Sequence, residues 1–355
     1  MGTYDLLAGL PLTVESYALE GLERQVSSGF LRKSTVIQLH GGDHEGVGED
    51  VVYDAEDHDI LQAAGSVLDL AGETTLGDFC ERIDALDLFS AEPLRGEVSR
   101  LYRRWAFHSA ALDLTLRQVG RPLHEVVGRP AQPVVFVNSR RLAEEDAPPS
   151  AGELERLLER YPTLRFKLDP TPKWTDDLIA ALVATGAVDS LDFKGHYKGT
   201  IVDNPADPDL YRRIAEAFPD AWLEDPDLTA DGIDEVLAPH RDRITWDAPI
   251  HSIADIEALP FAPKMVNIKP SRFGGLARLC AGYDYCVEHG IRAYGGGQFE
   301  LGPGRGQAQY LAALFHPETP NDLAPGGYNE SDPPDGLPSS PLTPSPSATG
   351  FRWAG

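Results

Sequence analysis

Short apolar runs alternate with longer amphipathic segments from Pro133 to about residue 327. Each run has the apolar character of a buried strand, and each segment between runs has helical periodicity. This alternation is typical of parallel strands joined by helices, and it predicts a closed (β/α)8 barrel of the TIM type. An open doubly wound sheet is the alternative, but no GxGxxG motif follows the first run. The strand-like runs are PVVFVNS, LRFKLD, VDSLDFKG, AWLED, RITWDAP, KMVNIKP, IRAYGGGQF and a weaker NDLAPGG.

The N-terminal part of the chain has a different pattern. Residues 34–53, STVIQLHGGDHEGVGEDVVY, combine two strand-like halves with a glycine-rich turn, which predicts a β-hairpin. Helical patterns follow, so we expect a small α+β domain over residues 1–95 and the barrel over residues 96–328. Residues 329–355 are rich in Pro, Ser and Gly but end with Phe351 and Trp353. We expect this last segment to return over the first domain.

Charge and cysteine content narrow the classes of partner. The 355 residues carry 31 Lys+Arg against 56 Asp+Glu, a formal net charge of −25 that repels nucleic acid and anionic lipid. No stretch reaches the roughly 18 apolar residues of a membrane span. Cys80, Cys280 and Cys286 have neither redox nor zinc spacing, so we expect buried thiols and a cytoplasmic location. The oligomeric state stays open, with a homo-oligomer as one option.

Five ionisable residues lie near the ends of successive predicted strands: Lys167, Asp192, Glu224, Asp247 and Lys269. In a barrel these strand ends meet at one rim, where the chemistry takes place. Three carboxylates suit a hard divalent cation, Mg²⁺ first and Mn²⁺ as an alternative, whereas zinc would require His or Cys. The two lysines bracket this metal site as candidate bases on either side of a carbon acid.

Further polar residues lie close in sequence to these five. Arg165 lies two residues before Lys167, and period-2 alternation predicts one shared face, where a guanidinium would lower the pKa of the lysine. By the same alternation Asp169 faces inward with Lys167, and Asn267 shares a face with Lys269. The sequence therefore predicts a polar pocket at the barrel rim.

A glycine-rich stretch, GPGRGQ at residues 302–307, precedes the last helical segment. Backbone N–H groups at such a helix start can bind an anion. The stretch is therefore a candidate anion-binding loop, although the signal is weak when taken alone.

Taken together these motifs resemble the enolase superfamily, in its muconate cycloisomerase (muconate lactonizing enzyme) subgroup with o-succinylbenzoate synthase-like and N-acylamino acid racemase-like members. GVGEDVVY at 46–53 resembles the hairpin of the capping domain of that family. AALDLTLRQVGRPLHEVVG at 110–128 resembles a characteristic helix, and the strand motifs recur in family order. The resemblance implies a (β/α)8 barrel with an N-terminal α+β capping domain.

The resemblance also implies a reaction, abstraction of a proton α to a carboxylate through an enediolate, with magnesium as cofactor. Lys167 and Lys269 would be the acid/base residues, and Asp192, Glu224 and Asp247 the metal ligands. The subgroup's reactions are racemisation, epimerisation, cycloisomerisation and the dehydration that forms o-succinylbenzoate. The substrate would be a small-molecule carboxylate.

Departures from the family pattern affect supporting residues. Arg165 stands where the family has a lysine, and Lys194 stands where it has an asparagine. Lys194 would either compete with the metal for Asp192 or clamp the substrate carboxylate. Glu300 occupies the place of an acid that could orient Lys269 or accept from substrate. A second alignment would make Asp169 a ligand, but it would leave strand 2 without a lysine.

Two other functions remain as alternatives. One is a divergent, non-catalytic or metal-free family member that binds an acidic metabolite, because Lys194 neutralises Asp192. The other is an unrelated barrel aldolase with a Schiff-base lysine.

Overall fold

Antiparallel strands form the N-terminal part of the computed structural model, which describes residues 2–26, 30–142, 148–200, 202–330 and 332–353. The predicted hairpin is confirmed, with His40 opposite Glu45, and a further strand that the sequence did not predict pairs with its other edge. A separate two-stranded ladder lies beside this sheet. The strands are β1 (Pro11–Val14), β2 (Ser16–Gln25), β3 (Leu31–Gly41), β4 (His44–Asp50) and β5 (Gly72–Thr75).

A long helix packs directly on this sheet. The helices of this part are α1 (Asp5–Ala8), α2 (Ala55–Ala64), α3 (Leu76–Asp84) and α4 (Glu97–Gln118). Glycines make the contact between β4 and α4 possible, because a Cβ at Gly46 or Gly48 would overlap the backbone of Ala110 or Ala106. Larger residues at these two positions would push the helix off the sheet.

Short parallel strands alternate with helices through the rest of the described chain. The strands are β6 (Asn138–Arg140), β7 (Phe166–Leu168), β8 (Val188–Asp192), β9 (Trp222–Glu224), β10 (Ile244–Thr245), β11 (Met265–Asn267) and β12 (Arg292–Tyr294). The helices are α5 (Leu123–Val126), α6 (Gly152–Arg160), α7 (Asp176–Ala184), α8 (Pro208–Ala217), α9 (Ile233–Leu237), α10 (Ile253–Glu257), α11 (Pro270–Phe273), α12 (Leu276–Glu288) and α13 (Pro303–Phe315). Two 3₁₀ turns span Ala238–Arg243 and Gly326–Asn329.

Backbone hydrogen bonds close these strands into a barrel. β6 to β10 form one parallel sheet, and a parallel bridge from Trp246 to Val266 joins it to β11 and β12. An eighth segment at Asn321 and Asp322 bridges Gly296 on one side and Phe136 on the other, also in parallel. The predicted (β/α)8 barrel is therefore confirmed, and the carboxyl ends of its strands share one rim.

The C-terminal segment contacts both parts of the molecule. Arg352 donates to Asp113 on α4 and to Glu45 on β4, and Leu342 exchanges backbone hydrogen bonds with Val134. The division into residues 1–95, 96–328 and 329–355 stays a prediction. The three cysteines are free and buried, as expected. Among the described residues, no helix has the length and apolarity that crossing a membrane requires.

Candidate active site

The barrel brings the five ionisable residues predicted at strand ends together at its rim. Lys167, Asp192 and Glu224 lie on β7, β8 and β9, while Asp247 and Lys269 lie just beyond β10 and β11. Each is at most 7% exposed, so their charges meet in a region of low polarisability, where electrostatic interactions are strong. The predicted cluster of two lysines and three carboxylates therefore exists as a geometric unit.

Lys167 lies between several carboxylates. Its amine donates to Glu224 Oε1, and it lies 3.0 Å from Asp192 Oδ2 and 3.5 Å from Asp322 Oδ2. Burial by itself would lower the pKa of this lysine, but Asp192 and Glu224 raise it well above its usual range. The expected lowering of the Lys167 pKa is therefore wrong.

Arg165 lies away from the site, which corrects its predicted place beside Lys167. It pairs with Asp189 and donates to the carbonyl of Gly186, and its side chain is 37% exposed. Arg165 precedes the first residue of β7, and its guanidinium reaches Asp189, the β8 residue that the register shift leaves without a partner on β7. Period-2 alternation holds within a strand and does not extend to Arg165.

Asp247 pairs with two cationic side chains, and the sequence analysis did not identify the second of them, Arg272. Lys269 Nζ lies 2.9 Å from Asp247 Oδ2, and Arg272 Nη1 lies 2.7 Å from Oδ1 while also donating to the Asp247 carbonyl. Burial and the neighbouring Arg272 lower the pKa of Lys269. The sequence NIKPSR contains a sign of this contact. Pro270 starts α11, so Lys269 and Arg272, three residues apart, lie one helical turn from each other.

Lys194 lies on the other side of the cluster, as its position after β8 predicted. Its amine donates to Asp192 Oδ2, its backbone N–H donates to Asp192 Oδ1 at 3.1 Å, and its amine is 3.6 Å from Asp169 Oδ1. Asp169 is buried, and burial raises its pKa to about 6. Both residues therefore lie in the same group of charged side chains as Asp192.

Glu300 and Asn267 take different positions. Glu300 accepts from the backbone N–H of Gln298 and pairs with Arg305 at 3.0 Å, and its contacts among the described residues do not include Lys269, one of its two expected partners. Asn267 is buried at the end of β11, and neither of its amide atoms has a partner among the described residues. Asn267 therefore stays available to the site, whereas Glu300 belongs to the loop after β12.

Carboxylate oxygens form a cradle that fits a hard divalent cation. Oxygens of Asp192, Glu224 and Asp225 lie within 4.8 Å of one another, and Glu224 Oε2 accepts no hydrogen bond from the described residues. Asp225 also accepts from the backbone N–H groups of Asp247 and Ala248, each at 2.8 Å. The close group thus contains Asp225 in place of the predicted Asp247, which is engaged by its two cations.

The charges of the described cluster also favour a cation. Six carboxylates face four cationic side chains, which leaves a formal excess of two negative charges. Burial raises the pKa of Asp225 to about 6 and that of Glu224 well above its usual range. A divalent ion would remove this excess, and all-oxygen donors suit magnesium. The carboxylates are Asp169, Asp192, Glu224, Asp225, Asp247 and Asp322, and the cations are Lys167, Lys194, Lys269 and Arg272.

Comparisons with known proteins agree with the fold. Family models described as the N-terminal and C-terminal domains of "Domain of unknown function (DUF8230)" match residues 5–126 and 130–330. An o-succinylbenzoate synthase of Geobacillus stearothermophilus is 26% identical over 230 residues, which are 63% of this chain and 59% of that protein. The matched region thus spans less than two thirds of that relative.

Solved structures show the same architecture. A member of the enolase superfamily from Listeria innocua Clip11262 superposes with a TM-score of 0.64 at 18% identity, covering 91% of this chain and 88% of that one. A dipeptide epimerase from Methylococcus capsulatus, complexed with a magnesium ion, gives 0.66 at 19% identity over 90% and 92%. The predicted capping region and barrel are thereby confirmed.

Proposed function

We propose, from the premise that this chain belongs to the DUF8230 family and has the fold of the enolase superfamily, that it is a magnesium-dependent enzyme. Its reaction is abstraction of the proton α to the carboxylate of a small-molecule substrate, which leaves an enediolate. Lys167 and Lys269 are the acid/base residues, and Mn²⁺ is the alternative metal.

The observation that carries this proposal is the approach of two buried lysines to one group of carboxylates. Lys167 comes from β7 and Lys269 from beyond β11, which are not neighbouring strands of the barrel. A substrate carbon held between them would have an amine on each side. Such positioning turns proton transfer into an effectively intramolecular step, which lowers the entropic part of the barrier.

Oxygen donors of this chain would hold the metal. Asp192 and Glu224 are the proposed ligands, with a third oxygen from Asp225 or Asp247. When bound, magnesium supplies Lewis-acid stabilisation of the negative charge on the substrate carboxylate. The unpartnered Glu224 Oε2 supports this assignment, because a buried carboxylate oxygen without a donor is costly.

Asp247 also positions one of the two acid/base residues. Its Oδ1 is fixed by Arg272, and its Oδ2 holds the amine of Lys269. The lysine is thus oriented toward the rim before substrate arrives. The proposal includes a cytoplasmic location, which the three free and buried cysteines support.

Among the reactions of this class, the dehydration that forms o-succinylbenzoate is the first to test, because a curated relative carries that name. Racemisation or epimerisation of N-acylamino acids or dipeptides and cycloisomerisation of muconate come next. All break or form the C–H bond at the α-carbon, because racemisation and dehydration remove that proton and muconate cycloisomerisation adds one, so a single NMR assay in deuterated buffer covers them.

The decisive experiment is proton exchange in deuterated buffer with magnesium, followed by NMR for each substrate class. We expect α-deuterium incorporation or product formation with the wild-type protein. Lys167→Ala and Lys269→Ala should each lower the rate by at least about 100-fold, as loss of a general acid or base does. Lys264→Ala, which removes an exposed lysine just before β11, is the matched control. Unchanged exchange in both active-site variants would refute the proposal.

A second candidate function is binding of an acidic metabolite without turnover. The contact of Lys194 with Asp192 favours it, because an internal ammonium can replace a metal as counter-ion. Calorimetry with magnesium separates the two, since the second candidate predicts no binding at millimolar metal.

A further inference from the structure

Both oxygens of the proposed ligand Asp192 are already bound by protein donors. Oδ1 accepts from the backbone N–H of Lys194, while Oδ2 accepts from the Lys194 amine and lies 3.0 Å from Lys167 Nζ. The carboxylate itself is completely buried. A cation that binds Oδ2 must therefore displace one of these ammonium groups.

Lys194 has a second carboxylate within reach. Its amine lies 3.6 Å from Asp169 Oδ1, an oxygen that accepts no hydrogen bond from the described residues. The ring of Tyr197 lies 5.4 Å from the same amine, at a cation–π distance. Movement from Asp192 to Asp169 would shift the amine by only about 1 Å, to reach hydrogen-bond distance. The ammonium would stay paired and would not have to be solvated anew.

The backbone directs Lys194 into the site. Its φ of 57° lies in the left-handed region, which is uncommon for a residue with a side chain and marks a position held by its surroundings. Gly195 follows, and a Cβ there would overlap the backbone of Asp225 and Asp227. The turn after β8 is therefore fixed against the turn after β9, and the Lys194 side chain starts from a fixed point.

We propose that Lys194 is a displaceable internal cation, which binds Asp192 in the metal-free protein and moves to Asp169 when magnesium binds. Asp169 then sets the metal affinity without being a ligand, by receiving the displaced ammonium. This inference rests on the proposed function, because it takes Asp192 as a ligand of magnesium. It assigns Lys194 and Asp169 as positioning residues.

The test is a double-mutant cycle read by calorimetric titration with magnesium chloride alone. Lys194→Met should tighten magnesium binding by about tenfold or more, the size of effect that second-layer groups have on metal affinity. Asp169→Asn should weaken it by a similar factor in the wild-type background. In the Lys194→Met background the same change should weaken binding less than about threefold, because no ammonium needs a new partner.

Asp322→Asn is the matched control, since Asp322 lies 3.5 Å from Lys167 at the same rim and its replacement measures the loss of one nearby charge. Equal effects of Asp169→Asn in both backgrounds would make Asp169 a ligand and would overturn the inference. Magnesium binding that Lys194→Met leaves unchanged would overturn the inference alone. Absence of binding in both the wild-type protein and Lys194→Met would overturn the metal site of the proposed function as well. Thermal unfolding of each variant verifies that it folds.

Discussion

At the scale of single residues, the position of Lys269 depends on a glycine of the neighbouring strand segment. A Cβ at Gly296 would overlap Lys269 Cε and would lie 2.9 Å from Asn267 Nδ2. The overlapping atoms belong to the far end of a flexible side chain, so the lysine would move and the backbone would stay. The absence of a side chain at this position therefore fixes where the amine can lie.

Gly296→Ala should separate activity from stability. We expect the displaced amine to lower the exchange rate by about 10- to 100-fold, because small misplacements of a catalytic group cost that much. The unfolding free energy should fall by less than about 1.5 kcal/mol. Exchange kinetics and urea unfolding measure the two effects. Gly326→Ala is the control, since a Cβ there has no neighbour within 4 Å. Unchanged exchange in Gly296→Ala would contradict this account.

The sequence predicted the five ionisable residues because each lies at the end of an apolar run. In a barrel the ends of these strands meet at one rim, so the five residues lie close together. It failed at Arg165, because that residue precedes β7 and alternation holds only within a strand. It missed Arg272, whose contact with Asp247 depends on the helical turn that starts at Pro270. It could not assign Asp225, because a φ of 47° turns that residue toward Asp247 and Ala248. Residues at strand ends can be predicted from a sequence, whereas turns that redirect a side chain cannot.

At the scale of elements, a carboxylate of the N-terminal sheet fills the start of α13. Glu49 on β4 accepts from the backbone N–H groups of Leu301 at 2.7 Å, Gly302 at 3.0 Å and Gly304 at 2.9 Å, and from Ser34 at 2.7 Å. The glycine-rich stretch predicted to bind an anion therefore does so, and the anion belongs to the protein. The helix dipole favours a negative charge there.

Glu49→Ala should weaken the contact between the N-terminal sheet and the start of α13. Because three partly buried N–H groups and a buried hydroxyl would lose their acceptor, the free energy of unfolding should fall by roughly 3 kcal/mol. Ser34→Ala removes only one donor and should cost about 1 kcal/mol. Urea unfolding of both variants gives the comparison. Similar losses for the two would mean that the helix start finds other acceptors.

At the scale of the whole molecule, one side chain reinforces the place where the backbone of the last barrel segment meets the first. Asn321 Nδ2 donates to the carbonyl of Val135, and Asn321 Oδ1 accepts from the backbone N–H of Gly295 at 2.7 Å. The same oxygen lies 2.6 Å from His316 Nδ1, and His316 Nε2 lies 3.2 Å from the hydroxyl of Tyr283. An amide oxygen only accepts, so Nδ1 carries the proton, and Nε2 accepts from Tyr283.

The buried imidazole of His316 should make the stability of the protein depend on pH. Burial lowers the pKa of His316 from 6.5 to about 4, so between these values the unfolded chain takes up a proton that the folded chain does not. Stability is therefore retained above about pH 6.5 and lost as the pH falls toward 4, with about 2 kcal/mol gone at pH 5. Urea unfolding at pH 7.5 and pH 5 measures this loss. His316→Gln should show a loss smaller by that amount, whereas the same replacement of the exposed His289 serves as the control. Equal losses in wild-type protein and His316→Gln would mean that other groups cause the acid sensitivity, and that closure of the barrel does not require a neutral imidazole.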